Sequence, residues 1–458
     1  MTLAKAHIKR MIVGLGVSGQ ATARYCQRMG WAFDLCDSRD ALPAVDSLKA
    51  QFPKANIRLG ALDGELLADY HQIIVSPGVA LSEPALQQAL SEQVEVIGDV
   101  ELFARHNHTP VIAITGSNGK STVTTLVRDI LVDAGMTAVM GGNIGVPVLD
   151  LLDGPQPDVY VLELSSFQLE TTSSLKARVA TILNLSEDHL DRYQGMADYG
   201  LAKQRIFIGC ELAVVNRDDD ASSPHDEIAE EAGFTLNAPA DDDFGLQPGE
   251  RDGIAGDWVV RAGMKLVHSS ELKIRGRHNL ANVMAALALV ETVGVSPAQA
   301  RTTLCRFAGL AHRCEWVGEH DGVAFINDSK GTNVGSTLAA IQGLAGQGLA
   351  GEAGSIWLLA GGDGKGQDFQ PLTDACQTGI AGVCCFGKDG GSLATALAAT
   401  CPAYHFPDLF EAFTFAARNA SAGDIVLLSP ACASLDQFPN YMERGRRFCE
   451  LVGRLVDV

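Results

Sequence analysis

Val111-Ile112-Ala113-Ile114-Thr115-Gly116-Ser117-Asn118-Gly119-Lys120-Ser121-Thr122 decides the fold, together with the VTTLVRDILVDAG that runs on from Thr122. The apolar run at its start reads as a buried strand, and the stretch after it reads as a helix. Between them a glycine-rich turn meets a helix N-terminus, where unpaired N–H groups and the helix dipole favour phosphate. Lys120 can add a point charge at the terminal phosphates, and the Ser121 hydroxyl suits Mg²⁺. The usual GxxxxGK[ST] spacing is not met, because Ile114 stands at its first glycine. The loop alone therefore leaves a GTPase or a general P-loop ATPase open, beside the plain alternative of a glycine turn carrying a surface lysine.

Outward from this segment, apolar runs alternate with amphipathic ones: RMIVGLG then ATARYCQRMG, QIIVSPG then EPALQQALSE. That alternation predicts an α/β protein with mostly parallel sheets and helical crossovers. The 458 residues suggest about three domains. The expected boundaries are 1–98 for a Rossmann-like unit, 99–309 for a central P-loop-type unit, and 310–458 for a second Rossmann-like unit. The polar, acidic stretch 216–270 reads as surface excursions with a few antiparallel strands at the sheet edge. HNLANVMAALALVETVG is the helix that closes the central unit. GVAFIND, SIWLLAGG, GVCCFG and DIVLLSP are the strands of the third, and GLAGQGLAGEAG is an enlarged surface loop.

A net charge of −20 argues against nonspecific binding to nucleic acid or an anionic membrane. A local cluster of lysines and glycine amides can still reverse the field in one cleft. The eleven cysteines are odd in number, with no CxxC pair. Free thiols in a cytoplasmic protein are the expectation. No apolar run reaches the length of a membrane span, and the N-terminal MTLAKAHIKRMIVGLG reads as a first strand.

In parallel sheets ligands sit at the carboxyl ends of the strands, so polar residues just beyond the apolar runs are the candidates. Glu163 ends Tyr160-Val161-Leu162 and can serve as a carboxylate ligand to Mg²⁺. Glu187-Asp188-His189-Leu190-Asp191-Arg192-Tyr193 follows ATILNLS; there His189 can bind a second metal and Asp188 can orient a neighbour. Gly14-Leu15-Gly16-Val17-Ser18-Gly19 follows the first strand and Asp37 the second, a pattern that usually marks a dinucleotide site. A dehydrogenase is the rival class there, but nothing else in the chain supplies hydride chemistry. In the third unit, Ala311-His312-Arg313, Asn327-Asp328-Ser329-Lys330-Gly331-Thr332-Asn333, Asp363-Gly364-Lys365-Gly366 and Ser429-Pro430-Ala431-Cys432-Ala433-Ser434 lie at its start or at strand ends. Lys365 is well placed to meet a carboxylate. Cys432 reads as packing.

The shortened loop GSNGKSTVTTLV, the segment LELSSFQLETTSSL and the closing SPACASLDQF resemble the Mur ligases, and match their D-glutamate-adding branch better than its siblings. The resemblance covers essentially the whole chain, and the DNPR-type motif of the diaminopimelate- or lysine-adding branch is absent. It implies an ATP-dependent carbon–nitrogen ligase that adds D-glutamate to UDP-N-acetylmuramoyl-L-alanine in peptidoglycan precursor synthesis, by way of an acyl phosphate. It implies that Gly116, Ser117, Asn118, Gly119, Lys120, Ser121, Thr122, Asn282, Arg313 and Asp328 hold ATP. Val17, Ser18, Asp37, Ser38, Arg39, Gly78 and Asn143 would hold the UDP-sugar, with Ser76, Pro77, Gly141 and Gly142 nearby. Thr332, Lys365, Ser434 and Tyr441 would hold D-glutamate. Two Mg²⁺ ions would be bound by Ser121, Glu163, His189 and Lys203, the last carbamylated by CO₂, with Lys120, His189 and Lys203 catalytic. A monomer is the expectation. A folylpolyglutamate synthase-like ligase, a sibling Mur ligase and a noncatalytic nucleotide-binding protein are the other classes. The first of these has no use for the N-terminal glycine motif, and the last has no use for Lys203, Lys365 or Ser434.

Overall fold

The computed structural model describes residues 8–43, 45–188, 192–240, 242–344, 354–377 and 379–456. His189 and most of the GLAGQGLAGEAG insertion lie outside the described residues. The chain divides into two compact units. One holds the chain up to Leu185, the stretch ending at Phe234 and Ala285–Ala300; the other holds Ser186–Asp188, Thr235–Met284 and Arg301 onward.

In the first unit the leading apolar runs form a parallel sheet: β1 (Arg10–Val13), β2 (Phe33–Asp37), β3 (Ile57–Leu59), β4 (Gln72–Val75) and β5 (Glu95–Gly98), in the order β3-β2-β1-β4-β5. The order reverses beside β1, which opens a crevice at the carboxyl ends of β1 and β4. Val13 pairs with Val75, so Gly14 and Ser76 leave the sheet side by side. Ser76 fastens them: its N–H donates to Val13 O at 2.8 Å and its hydroxyl to Gly14 O at 2.7 Å.

The strand that leads into the Gly116–Gly119 loop lies in a second set of parallel strands in the same unit: β6 (Val111–Thr115), β7 (Ala138–Gly142), β8 (Val159–Glu163), β9 (Val179–Ile182), β10 (Leu212–Asn216) and β11 (Glu230–Phe234), ordered β11-β10-β9-β6-β8-β7. Every residue of β6 and β8 is buried. Continuous apolar strands of this kind are what a sheet covered on both faces requires. The stretch 216–270 also contributes β11, which pairs parallel with β10.

Its antiparallel strands belong to the second unit, as a meander of β12 (Phe244–Arg251), β13 (Ile254–Arg261) and β14 (Met264–His268). The same unit carries β15 (Glu315–His320), β16 (Val323–Asn327), β17 (Ile356–Gly361), β18 (Ile380–Phe386), β19 (Ala403–Phe406) and β20 (Ile425–Leu428), in the order β15-β16-β20-β17-β18-β19. Among the described residues only β15 is antiparallel in that sheet. All eleven cysteines are free thiols, and Cys432 is fully buried. Among the described residues no helix is long and apolar enough to cross a membrane.

The three glycines after β1 serve different ends. Gly14 has φ +87°, a left-handed conformation that other residues adopt at a cost. A Cβ on Gly19 would lie 1.8 Å from Gly14 O, whereas one on Gly16 would meet nothing within 4 Å. Gly19→Ala is therefore expected to destabilise the chain by about 3 kcal/mol through overpacking. Gly16→Ala, an exposed helix-start position, should change stability by no more than about 1 kcal/mol. Urea unfolding of the two variants checks this, and equal losses would contradict it.

Candidate active site

The loop after β6 is braced from β9. Asn184 O accepts from Ser117 N–H at 2.9 Å, and its side chain takes Asn118 N–H at 2.8 Å while returning a bond to Asn118 O at 3.1 Å. Gly116 and Gly119 have φ +148° and +82°, which lets the backbone turn tightly into the helix Lys120–Asp133. Lys120 Nζ donates to Gly116 O at 2.7 Å and to Ser117 O at 2.9 Å. Ser121 and Thr122 are buried at the start of that helix.

Lys203 lies on the helix Met196–Gln204 and is only 1% exposed. Its Nζ donates to Gly116 O at 2.9 Å and to Thr115 Oγ1 at 3.2 Å. Two lysines, 83 positions apart in sequence, thus reach one carbonyl of the glycine loop. Tyr199, on the same helix, lies under Lys203 Nζ at 4.7 Å and bonds Ser117 Oγ through its hydroxyl at 3.1 Å. Glu163 ends β8 beside β6, in register with Ile114. One of its oxygens accepts from Asn143 Nδ2 at 2.8 Å; the other is buried with no hydrogen-bond partner. Among the described residues no group of three or more His, Cys, Asp and Glu side chains comes together as for a metal ion.

A cleft of about 640 Å³ runs from the glycine turn of β1 to the segment after β7. Val17, Ser18, Asp37, Ser38, Arg39, Gly78 and Asn143 all line it, as do Ser76, Pro77 and Gly142. Gly141 does not: it is buried beneath, where a Cβ would strike Val146 O and Leu151. Asp37 is already engaged. It accepts from Leu15 N–H at 2.7 Å and from Arg39 Nε and Nη2 at 2.7 Å each. The Arg39 guanidinium is the main cause that holds its carboxyl at about 2, with the Leu15 and Arg39 N–H groups adding to it against burial.

In the second unit Asp328 is buried after β16, accepting from Ser429 Oγ at 2.7 Å and Cys314 N–H at 3.2 Å. Burial pushes its carboxyl up to about 6, partly offset by these donors and by Arg313. Asn282 is buried on the helix Arg277–Glu291 and donates to Asn279 Oδ1 at 3.1 Å. An antiparallel bridge joins Asp363 to Ala433, so the Lys365 and Ser434 loops run together. Lys365 is exposed, with φ +49°, and Ser434 is buried. Thr332 N–H donates to Lys330 O at 2.8 Å, and Lys330 Nζ sits 4.6 Å over the Tyr441 ring.

Comparison with known proteins agrees with this layout. Residues 8–98 match the Mur ligase MurD-like N-terminal domain, 114–290 the Mur ligase middle domain, and 312–432 the Mur ligase glutamate ligase domain. The chain is 48% identical over 459 residues to the UDP-N-acetylmuramoylalanine–D-glutamate ligase of Pseudomonas aeruginosa, covering 100% of both chains. It is 46% identical to the enzyme of that name from Hahella chejuensis, covering 97% of this chain and 98% of the relative. The chain belongs to the Mur ligase family. Solved Mur ligases share its fold at low identity. The UDP-N-acetylmuramate–alanine ligase MurC of Thermotoga maritima has a TM-score of 0.59 at 19% identity, covering 98% of this chain and 100% of its own. MurF ligase from the same organism, solved in complex with ADP, also has 0.59, at 14% identity, covering 100% and 97%.

Several residues that shape these loops and the cleft were not singled out from sequence. Asn184 stands just past a strand, which is a usable signal, but Tyr199 looks like any helix residue. Arg444, fully buried, donates to Ser329 O at 2.9 Å and Cys432 O at 3.1 Å, and also to Gly361 O at 3.4 Å. It pins the loops after β16, β17 and β20 together, and burial lowers it to about 10. Asp99, buried at the start of the helix Asp99–His106, bonds Ser18 and Gln168, both of which line the cleft.

Burial pushes Asp99 up to about 6 from 3.8, against the pull of the Val100 N–H and the Ser18 and Gln168 side chains. Between these values the folded chain keeps a proton that the unfolded chain releases, so this carboxyl lowers stability progressively as pH rises through that window. In Asp99→Asn that contribution disappears. Urea unfolding at about pH 4 and about pH 7 should show wild type losing stability relative to Asp99→Asn as pH rises; a constant or opposite difference would contradict the assignment.

Proposed function

We propose that this chain adds D-glutamate to UDP-N-acetylmuramoyl-L-alanine at the expense of ATP, forming an amide, ADP and phosphate for peptidoglycan precursor synthesis. The observation that carries this is the convergence of Lys120 and Lys203 on Gly116 O, beside the half-unpaired Glu163. The names of relatives that match the chain end to end supply the substrates. The ADP in the MurF structure supports ATP as the nucleotide.

A carboxylate resists attack by an amine, because its carbon is electron-rich and oxide leaves poorly. A carboxylate oxygen of the alanyl end attacks the γ-phosphorus of ATP and ADP departs, leaving an acyl phosphate. The D-glutamate amine then attacks the carbonyl carbon, and phosphate leaves with the original carboxylate oxygen. The protein's share is positioning and charge neutralisation. Lys120 and the helix N-terminus that follows the glycine loop hold the phosphates. Asn282, Arg313 and Asp328 hold the nucleoside, and the cleft from Val17 to Asn143 holds the UDP-sugar. Thr332, Lys365, Ser434 and Tyr441 hold D-glutamate, Lys365 by its charge.

The buried, unpartnered oxygen of Glu163 and the buried Ser121 hydroxyl fit a hard divalent cation that prefers oxygen donors. They would hold one Mg²⁺, with His189 and carbamylated Lys203 holding a second. When bound, Mg²⁺ supplies neutralisation of the charge developing on the transferring phosphoryl group. Carbamylation would replace the Lys203 ammonium, which bonds Gly116 O and Thr115 Oγ1, by oxygen donors of the kind such an ion prefers.

The direct check is phosphate release with ATP, Mg²⁺, the UDP-sugar and D-glutamate, each omitted in turn and L-glutamate as a control. Release is expected only with the complete set. Lys120→Ala should lower turnover by about 10³-fold in a folded protein; near-normal turnover would remove Lys120 from the reaction. Lys203→Ala should be restored in part by added short carboxylic acids, and no restoration would argue against the carbamate.

A further inference from the structure

We propose that Arg192 is a positioning residue that fixes the wall of the UDP-sugar cleft to the structure bearing Lys203, and so sets where the sugar end of the substrate lies. This rests on the cleft being the UDP-sugar site.

The Arg192 side chain is 13% exposed and its ion-pair partner Glu170 14%. Its Nη1 donates to Pro77 O at 3.0 Å, and its Nη2 donates to Glu170 Oε2 at 2.7 Å and more weakly to Val79 O at 3.4 Å. The guanidinium carbon lies 4.3 Å from the centre of the Phe167 ring. Pro77, Val79 and Phe167 all line the cleft. One planar group thus holds two backbone carbonyls from the turn after β4 against an aromatic ring from the segment after β8. The guanidinium fork and flat face make this possible; a lysine ammonium offers neither.

From Arg192 packed contacts run both ways. Toward the glycine loop, the turn it holds includes Ser76, whose hydroxyl bonds Gly14 O at 2.7 Å. Toward the phosphate loop, Glu170 accepts from the Tyr193 hydroxyl at 2.5 Å. Tyr193 stacks on Phe167 with ring centres 6.0 Å apart, and meets Tyr199 at 5.4 Å. Tyr199 in turn holds Ser117 Oγ and underlies Lys203. Arg192 is therefore the joint between the surface that receives the sugar nucleotide and the loop that meets the phosphates.

The hydrogen bonds and ring contact of Arg192 itself go to Pro77, Val79, Glu170 and Phe167, and not to Asp37 and Arg39, the part of the cleft assigned here to the uridine. That separation gives the test. Arg192→Lys, Arg192→Met and Glu170→Gln are compared with wild type for binding of UDP alone, for KM of UDP-N-acetylmuramoyl-L-alanine and of ATP, and for kcat. Tyr193→Phe, which removes only the hydroxyl on Glu170, serves as the milder variant should the others not fold. The expected result is a KM for the UDP-sugar raised roughly tenfold and kcat lowered roughly tenfold, because a misplaced carboxylate reaches the phosphoryl group less often. UDP binding and KM for ATP should stay within about twofold, and Arg192→Lys should not rescue. Folded variants with an unchanged UDP-sugar KM, or with UDP, ATP and UDP-sugar affected alike, would overturn the proposal. Wild-type protein that binds neither UDP nor the UDP-sugar would instead overturn the reading of the cleft.

Discussion

The Gly116 carbonyl accepts from two ammonium groups, Lys120 at 2.7 Å and Lys203 at 2.9 Å, and the first unit is organised around that meeting. Like charges repel, and an ammonium removed from water is costly unless it is well bonded. The loop backbone, the Thr115 hydroxyl and the Tyr199 ring supply that bonding. With both amines charged, positive charge is concentrated at the start of a buried helix, in a chain whose net charge is −20. Anionic phosphate is the group such a place favours.

Bringing residue 203 to residue 116 requires neighbouring parallel strands whose carboxyl ends lie level. β6 stands between β8 and β9, so Glu163 and Asn184 flank the glycine loop. The same topological logic acts beside β1, where Gly14 and Ser76 leave the sheet together and the cleft opens. In the second unit, Arg444 performs by side-chain bonding what Asn184 does in the first. A single buried guanidinium joins three strand-end loops through their carbonyl oxygens.

Much of this was legible in the sequence, because apolar runs buried on both faces leave few choices of structure. RMIVGLG, VIAIT and DIVLLSP each form a strand, and the polar residues just past them are the candidates for the cleft, the glycine loop and the Ser434 loop. What was hidden depends on contacts between distant segments. Arg444 lies close to Arg446 and Arg447 on one amphipathic helix, yet those two pair with surface Glu443 and Glu450 while Arg444 is buried. Nothing local tells them apart. Arg192 was likewise one letter in an acidic, His-containing segment until Pro77, Val79 and Glu170 surrounded it. The stretch 216–270 holds both kinds of pairing, parallel for β11 and antiparallel for β12–β14, and a short polar run carries no sign of its direction.

The most direct test of the proposed chemistry follows one oxygen atom. UDP-N-acetylmuramoyl-L-alanine labelled with oxygen-18 in its alanyl carboxylate is turned over with ATP and D-glutamate, and the phosphate released is weighed by mass spectrometry. If the carboxylate attacks the γ-phosphorus and phosphate is the later leaving group, each phosphate carries one labelled oxygen. Amide formed alongside unlabelled phosphate would contradict the acyl phosphate, and with it the role given to the paired lysines.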